Sequence, residues 1–108
     1  MSEIVEIIQP SGQLDFNNLV LLKEEITTFL SQGVRLILLD LQNVTNIESQ
    51  NVAKLKSILD TVRSYQGEFY VCSLNEQIQT AFEITNTACI FKPLANQKEF
   101  EEKVLARS

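Results

Sequence analysis

The chain has no histidine, only three glycines and only two cysteines, and each shortage removes a class of chemistry. Without histidine, nucleophilic hydrolysis by a Ser-His or Cys-His pair is impossible, and no GxSxG elbow suggests another triad. A zinc site is excluded by the same lack, because Cys72 and Cys89 form no CxxC pair and have no imidazole to join them; no metal is expected. Both cysteines lie in apolar, strand-like surroundings and are expected to be small buried hydrophobes. Phosphate-cradling loops need clustered glycines so that several N–H groups converge on one anion, whereas Gly12, Gly33 and Gly67 are scattered. No cofactor is therefore implied. Positive charge is scarce as well: 9 Lys+Arg against 14 Asp+Glu give a formal net charge of −5. The basic footprint that nucleic acid or an acidic membrane requires is missing. No apolar run approaches the roughly 20 residues of a membrane helix, and no basic segment leads into an apolar signal core. Direct membrane insertion is not expected, and the cytoplasm is the default location.

What is present fits one soluble domain over residues 1–108, with 44% hydrophobic and 21% charged residues and no linker or low-complexity segment. The stretch Leu36 to Ala53 organises it. Leu36-Ile37-Leu38-Leu39 is apolar without alternation, as in a parallel strand covered on both faces. Ligands and partners of open α/β sheets are usually met where such strands end and loops lead into helices, so Asp40 to Asn51 is the place to look.

In chain order, Ile4 to Ile8 reads as a first strand, Pro10-Ser11-Gly12 as a turn, and Gln13-Leu14-Asp15 as a short second strand, together an N-terminal hairpin. Asp15 or Asn17 can cap a helix with Leu19, Leu22, Ile26, Phe29 and Leu30 inward, stopped by Gly33. After the central strand, Val52, Leu55, Leu59 and Val62 repeat at helical spacing, and the helix ends near Gly67. Phe69 to Cys72 is a further strand, Asn75 caps a helix with Ile78, Ala81 and Phe82 inward, Ile90-Phe91 is a last short strand, and Phe100 and Val104 mark a C-terminal helix. Strands alternating with helices predict an α/β fold: a mixed sheet of about five strands, parallel in its later part, with about four packed helices.

The carboxylates offer little for catalysis, because Glu24-Glu25 and Glu99, Glu101, Glu102 fall on exposed helix faces and no cleft is indicated. An enzyme is not expected. In the loop after the central strand, Thr45 and Glu48 have capping-box spacing, and Ser49 offers an alternative cap for the helix that follows. A phosphate there would place roughly −1.5 to −2 charge beside helix N–H groups and alter how a partner docks.

Taken together, Gly12-Gln13-Leu14-Asp15, the apolar strand ending Asp40-Leu41, then Val44, Ile47-Glu48-Ser49 and the amphipathic helix resemble the STAS domain of anti-sigma factor antagonists. Phe82-Glu83-Ile84-Thr85-Asn86 adds a downstream match. The resemblance implies an interaction module that binds a protein partner, typically an anti-sigma serine kinase, and is switched by phosphorylation of a loop serine or threonine. The family's loop reads Asp-Ser-Ser/Thr-Gly, and here those positions are Glu48-Ser49-Gln50-Asn51. Gln50 thus stands at the acceptor position and cannot carry phosphate, so the usual switch is expected to be absent. Ser49 and Thr45 are the remaining loop hydroxyls, and the candidate partner-binding residues are Asn43, Thr45, Asn46, Glu48, Ser49, Gln50 and Asn51. Asn51 and Asn86 replace family glycines with a residue that tolerates left-handed backbone. Alternatives of other classes are an accessory or small-ligand-sensing part of a transport system, or a structural subunit of a larger assembly; a homodimer is allowed.

Overall fold

Residues 36–40 are the centre of the molecule. In the computed structural model, which describes residues 5–107, strand β3 (Leu36–Asp40) is buried along all five positions. It pairs in parallel with β1 (Val5–Ile8) on one side and β5 (Glu68–Cys72) on the other, giving the order β1-β3-β5. Ile4, assigned to the first strand from the sequence, lies outside the described residues.

Period-2 alternation divides the strand between two cores. Ile37 and Leu39 enter the larger one, with Leu19, Leu22, Ile26 and Leu30 of α1 (Phe16–Ser31), Val52, Leu55, Ile58, Leu59 and Val62 of α2 (Ser49–Ser64), and Ile78, Ala81 and Phe82 of α3 (Glu76–Ile84). Leu36 and Leu38 face the smaller one, with Phe100 of α5 (Gln97–Lys103) and Val104. At seven residues α5 is too short to be stable alone. Fully buried Phe100, worth roughly 1.5–3 kcal/mol against exposure, anchors it. The Tyr70 ring meets Phe100 edge-on with centroids 5.6 Å apart.

The α/β class, the number of strands and the helix stripes agree with the sequence reading, and three details are corrected. First, no N-terminal hairpin forms and the sheets are parallel throughout. β1 and β2 (Ser11–Gln13) do not pair with each other; β2 instead forms a second, two-stranded parallel sheet with β4 (Asn43–Asn46). Gln9-Pro10 bends one continuing strand rather than reversing it, since proline's φ is compatible with extended backbone. Leu41-Gln42 bends its neighbour in step. Second, Asn43 to Asn46 is therefore a strand and not a loop. Third, Ile90 and Phe91 are not a strand but belong to a single helical turn, α4 (Ala88–Phe91), where Phe91 stacks on Phe82 at 5.1 Å. A short apolar run does not distinguish the two by itself. The bridge to β5 is made further on, by Leu94 opposite Cys72.

Local signals explain the remaining ends. Asp15 caps α1 through Asn18 N at 2.8 Å, and Asn75 caps α3 through Ile78 N at 2.9 Å. Asn86 has φ 58°, so it does take the left-handed conformation. After α2 that role falls to Gln66, φ 63°, while Gly67 is needed for proximity: a Cβ there would sit 3.0 Å from both the Arg35 carbonyl and Val62 Cγ1.

Candidate functional site

The ladder between β2 and β4 slips by one residue: Gly12 is opposite Val44 and Gln13 opposite Asn46, leaving Thr45 without a partner across the sheet. Such a bulge re-aims the chain and is common beside binding sites. It is held from outside by Asn75, whose Nδ2 donates to the carbonyls of Val44 (3.3 Å) and Thr45 (3.1 Å) while its Oδ1 caps α3. Asn75 is thus a fastener that sequence reading assigned only to its cap. Leu14 N donates to Asn46 O at 3.0 Å and continues the pairing up to the site.

Beyond the bulge, Ile47 is buried and plugs the core, and the chain emerges into the first turn of α2. Glu48, Ser49 and Gln50 are exposed there, Asn51 is half-buried, and Asn43, Thr45 and Asn46 lie just upstream, Asn46 half-buried and the other two exposed. All seven candidate residues thus fall on one continuous segment. Neither expected cap is used, however. Thr45 is drawn into β4, and Glu48 is itself the cap residue but accepts from no backbone N–H of the helix, its carboxylate instead accepting from the Gln50 side chain, Nε2, at 2.8 Å. Asn51 is helical and donates its N–H to Glu48 O at 2.8 Å, so asparagine carries no left-handed strain there.

At the carboxyl ends of the three-stranded sheet, Asp40 is 1% exposed. Its Oδ2 accepts from Gln9 Nε2 (2.8 Å) and Gln97 Nε2 (2.7 Å), and its Oδ1 from Gln42 N (3.0 Å). Burial pushes its pKa up, but the hydrogen bonds from Gln97, Gln9, Gln42 N–H and Ser73 outweigh it and hold the carboxyl below its ordinary value. The cluster ties the ends of β1, β3 and β5 to the start of α5, and its acceptor capacity is spent on neutral donors. It is a clasp beside the site. Cys72, next to it, is buried as expected, and burial pushes its thiol up to about 11. Cys89, contrary to expectation, is exposed, because α4 turns it outward.

Phe16, at the first position of α1, was missed by sequence reading. It is 59% exposed, and Lys54 Nζ of α2 lies 5.8 Å from its ring centroid, which joins it to the face formed by the start of α2. Its exposure was not legible in the sequence, because Phe16 precedes Leu19 by three positions, at the edge of the buried stripe. Among the described residues no helix is long and apolar enough to cross a membrane.

The STAS domain family model matches residues 2–102. The chain belongs to the STAS domain family. Among its relatives is the TM1081 homolog of Thermotoga neapolitana, named as an anti-sigma factor antagonist, 34% identical over 97% of this chain and 94% of that protein. The crystal structure of Thermotoga maritima TM1081, likewise described as an anti-sigma factor antagonist, is similar with a TM-score of 0.83 at 31% identity, covering 93% of this chain and 86% of the other. SpoIIAA in its unphosphorylated form shares the fold at a TM-score of 0.76 and 13% identity, over 94% and 89% of the two chains.

Proposed function

We propose that this STAS domain acts as an anti-sigma-factor-antagonist-type regulator that binds a protein partner, an anti-sigma serine kinase being the expected one, through the segment Asn43 to Leu55 with Phe16 beside it. We further propose that it lacks the usual phospho-switch. The observation carrying this is the first turn of α2, where Gln50 presents an exposed amide, bonded to Glu48 at 2.8 Å, at the position that carries the acceptor hydroxyl in the family's loop. A neutral, non-phosphorylatable side chain there keeps the surface in its uncharged form. Asn43, Thr45, Asn46, Ser49 and Asn51 supply polar contacts around it, and Phe16 supplies the exposed aromatic anchor such interfaces favour.

Calorimetric titration of the serine kinase encoded in the same genome tests the reading. The native chain is expected to bind, and Gln50→Asp, which places an unpaired charge in the contact, to bind at least about tenfold more weakly. Equal binding by both, or none by the native chain, refutes it.

A further inference from the structure

The two edges of the three-stranded sheet are finished differently. Along β5 the edge is closed by the chain itself: Leu94 N donates to Val71 O (2.9 Å) and Ser73 N to Leu94 O (3.2 Å), with Pro93 beside them. Along β1 nothing among the described residues pairs with the outer edge, since β1 hydrogen-bonds only to β3. Backbone groups of a strand point alternately to either side, so about two of its four residues present N–H and C=O outward. Next to this edge runs a groove of about 470 Å³ between β1 and α1, in which Ile8 and Leu22 form the apolar floor and Glu6 and Glu25 the rim. Ile7 and Leu21 are 43% and 62% exposed, unusually open for their type.

We propose that the outer edge of β1 and its groove receive an extended, cationic segment of a partner protein as an added strand. Strand addition draws affinity from main-chain hydrogen bonds and specificity from alternate side chains, and both elements are here. The charge decides the occupant. A second copy paired across a two-fold axis would bring its own Glu6 and Glu25 against these, and four carboxylates would oppose the contact. A segment alternating apolar and basic residues would cover the apolar floor and pair with the same two glutamates. The carboxylates therefore guard the edge against self-association while selecting its ligand. This surface lies on the side of α1 opposite Phe16 and Lys23, which face α2 (Lys54 under Phe16, Ser57 bonded to Lys23 at 3.0 Å), so it is independent of the segment from Asn43 to Leu55.

The test uses the isotopically labelled protein and short capped peptides alternating valine with lysine or with glutamate. The lysine peptide is expected to shift the amide signals of β1 and of Leu21 and Leu22, and to slow exchange of the outward β1 amides about tenfold or more. The glutamate peptide should bind at least about tenfold more weakly, and Glu6→Lys/Glu25→Lys should reverse the preference. A lysine peptide N-methylated on the amides facing the protein should lose binding, because the added ladder is lost. Four outcomes overturn the proposal: no perturbation of β1 at millimolar peptide, equal binding of the two peptides, equal binding of the N-methylated peptide, or sedimentation showing a dimer that buries β1.

Discussion

Replacing Asp40 with alanine removes the acceptor of hydrogen bonds at 2.7, 2.8 and 3.0 Å, two of them from side chains 31 and 57 positions away. Hydrogen bonds to a charged group are worth roughly 1.5–3 kcal/mol each, which would give a large total if all three donors were stranded. They are not. Gln9 is exposed and Gln97 half-buried, so both amides can turn to water, and removal of the carboxylate also relieves the cost of burying it. The net expectation is a loss of about 2–4 kcal/mol, with Asp40→Asn losing less because one oxygen and the shape are kept. Chemical denaturation measures this, and the pH series separates charge from packing. A carboxyl whose folded pKa lies below its unfolded value contributes stability that is present above the unfolded pKa and lost as pH falls through the folded one. The stability gap between the native chain and Asp40→Asn should therefore be constant near neutrality and shrink on acidification below about pH 4. A gap that is flat across that range, or a variant as stable as the native chain at pH 7, would refute the clasp.

Other expectations follow from single contacts. Asn75→Ala removes both the α3 cap and the two bonds to the Thr45 bulge, and should cost about 1–3 kcal/mol in thermal or chemical denaturation. Gly67→Ala introduces a Cβ 3.0 Å from the Arg35 carbonyl and should destabilise by about 1–3 kcal/mol, whereas Gln66→Gly, at φ 63°, should be neutral or stabilising. With a thiol-specific chromogenic reagent at pH 8, Cys89 should react rapidly and Cys72 only on unfolding, since Cys72 is fully buried with its thiol pushed up to about 11.

How far the sequence could be read depended on the range of the interactions involved. The apolar run Leu36 to Leu39 and the stripes Leu19, Leu22, Ile26 and Val52, Leu55, Leu59 state their burial locally, through period 2 and period 3.6, and the structure follows them. Asp15, Asn75 and Asn86 are local signals too, and each takes the role its chemistry suggests. Apart from Ile90-Phe91, where a short apolar run fits strand and helix equally, the main features that escaped are non-local. Whether Pro10 reverses or merely bends the chain depends on the pairing of β2 with β4, more than thirty positions away, and the same pairing turns Thr45 from a helix cap into a bulge. The Asp40 clasp needs Gln97, 57 positions on, and a lone glutamine gives no hint of it. The Glu48-Ser49-Gln50-Asn51 segment lies at the start of α2, as its helical periodicity implies, but its geometry follows from those distant contacts.

Because the proposed absence of a switch rests on one side chain, the most direct measurement is to incubate the native chain and Gln50→Ser with the serine kinase and ATP, then record intact mass and binding. The native chain should keep its mass and its Kd to within about twofold. Gln50→Ser should gain one phosphoryl group and bind at least about tenfold more weakly afterwards. Phosphate found on Ser49 or Thr45 of the native chain, with binding lost, would contradict the account.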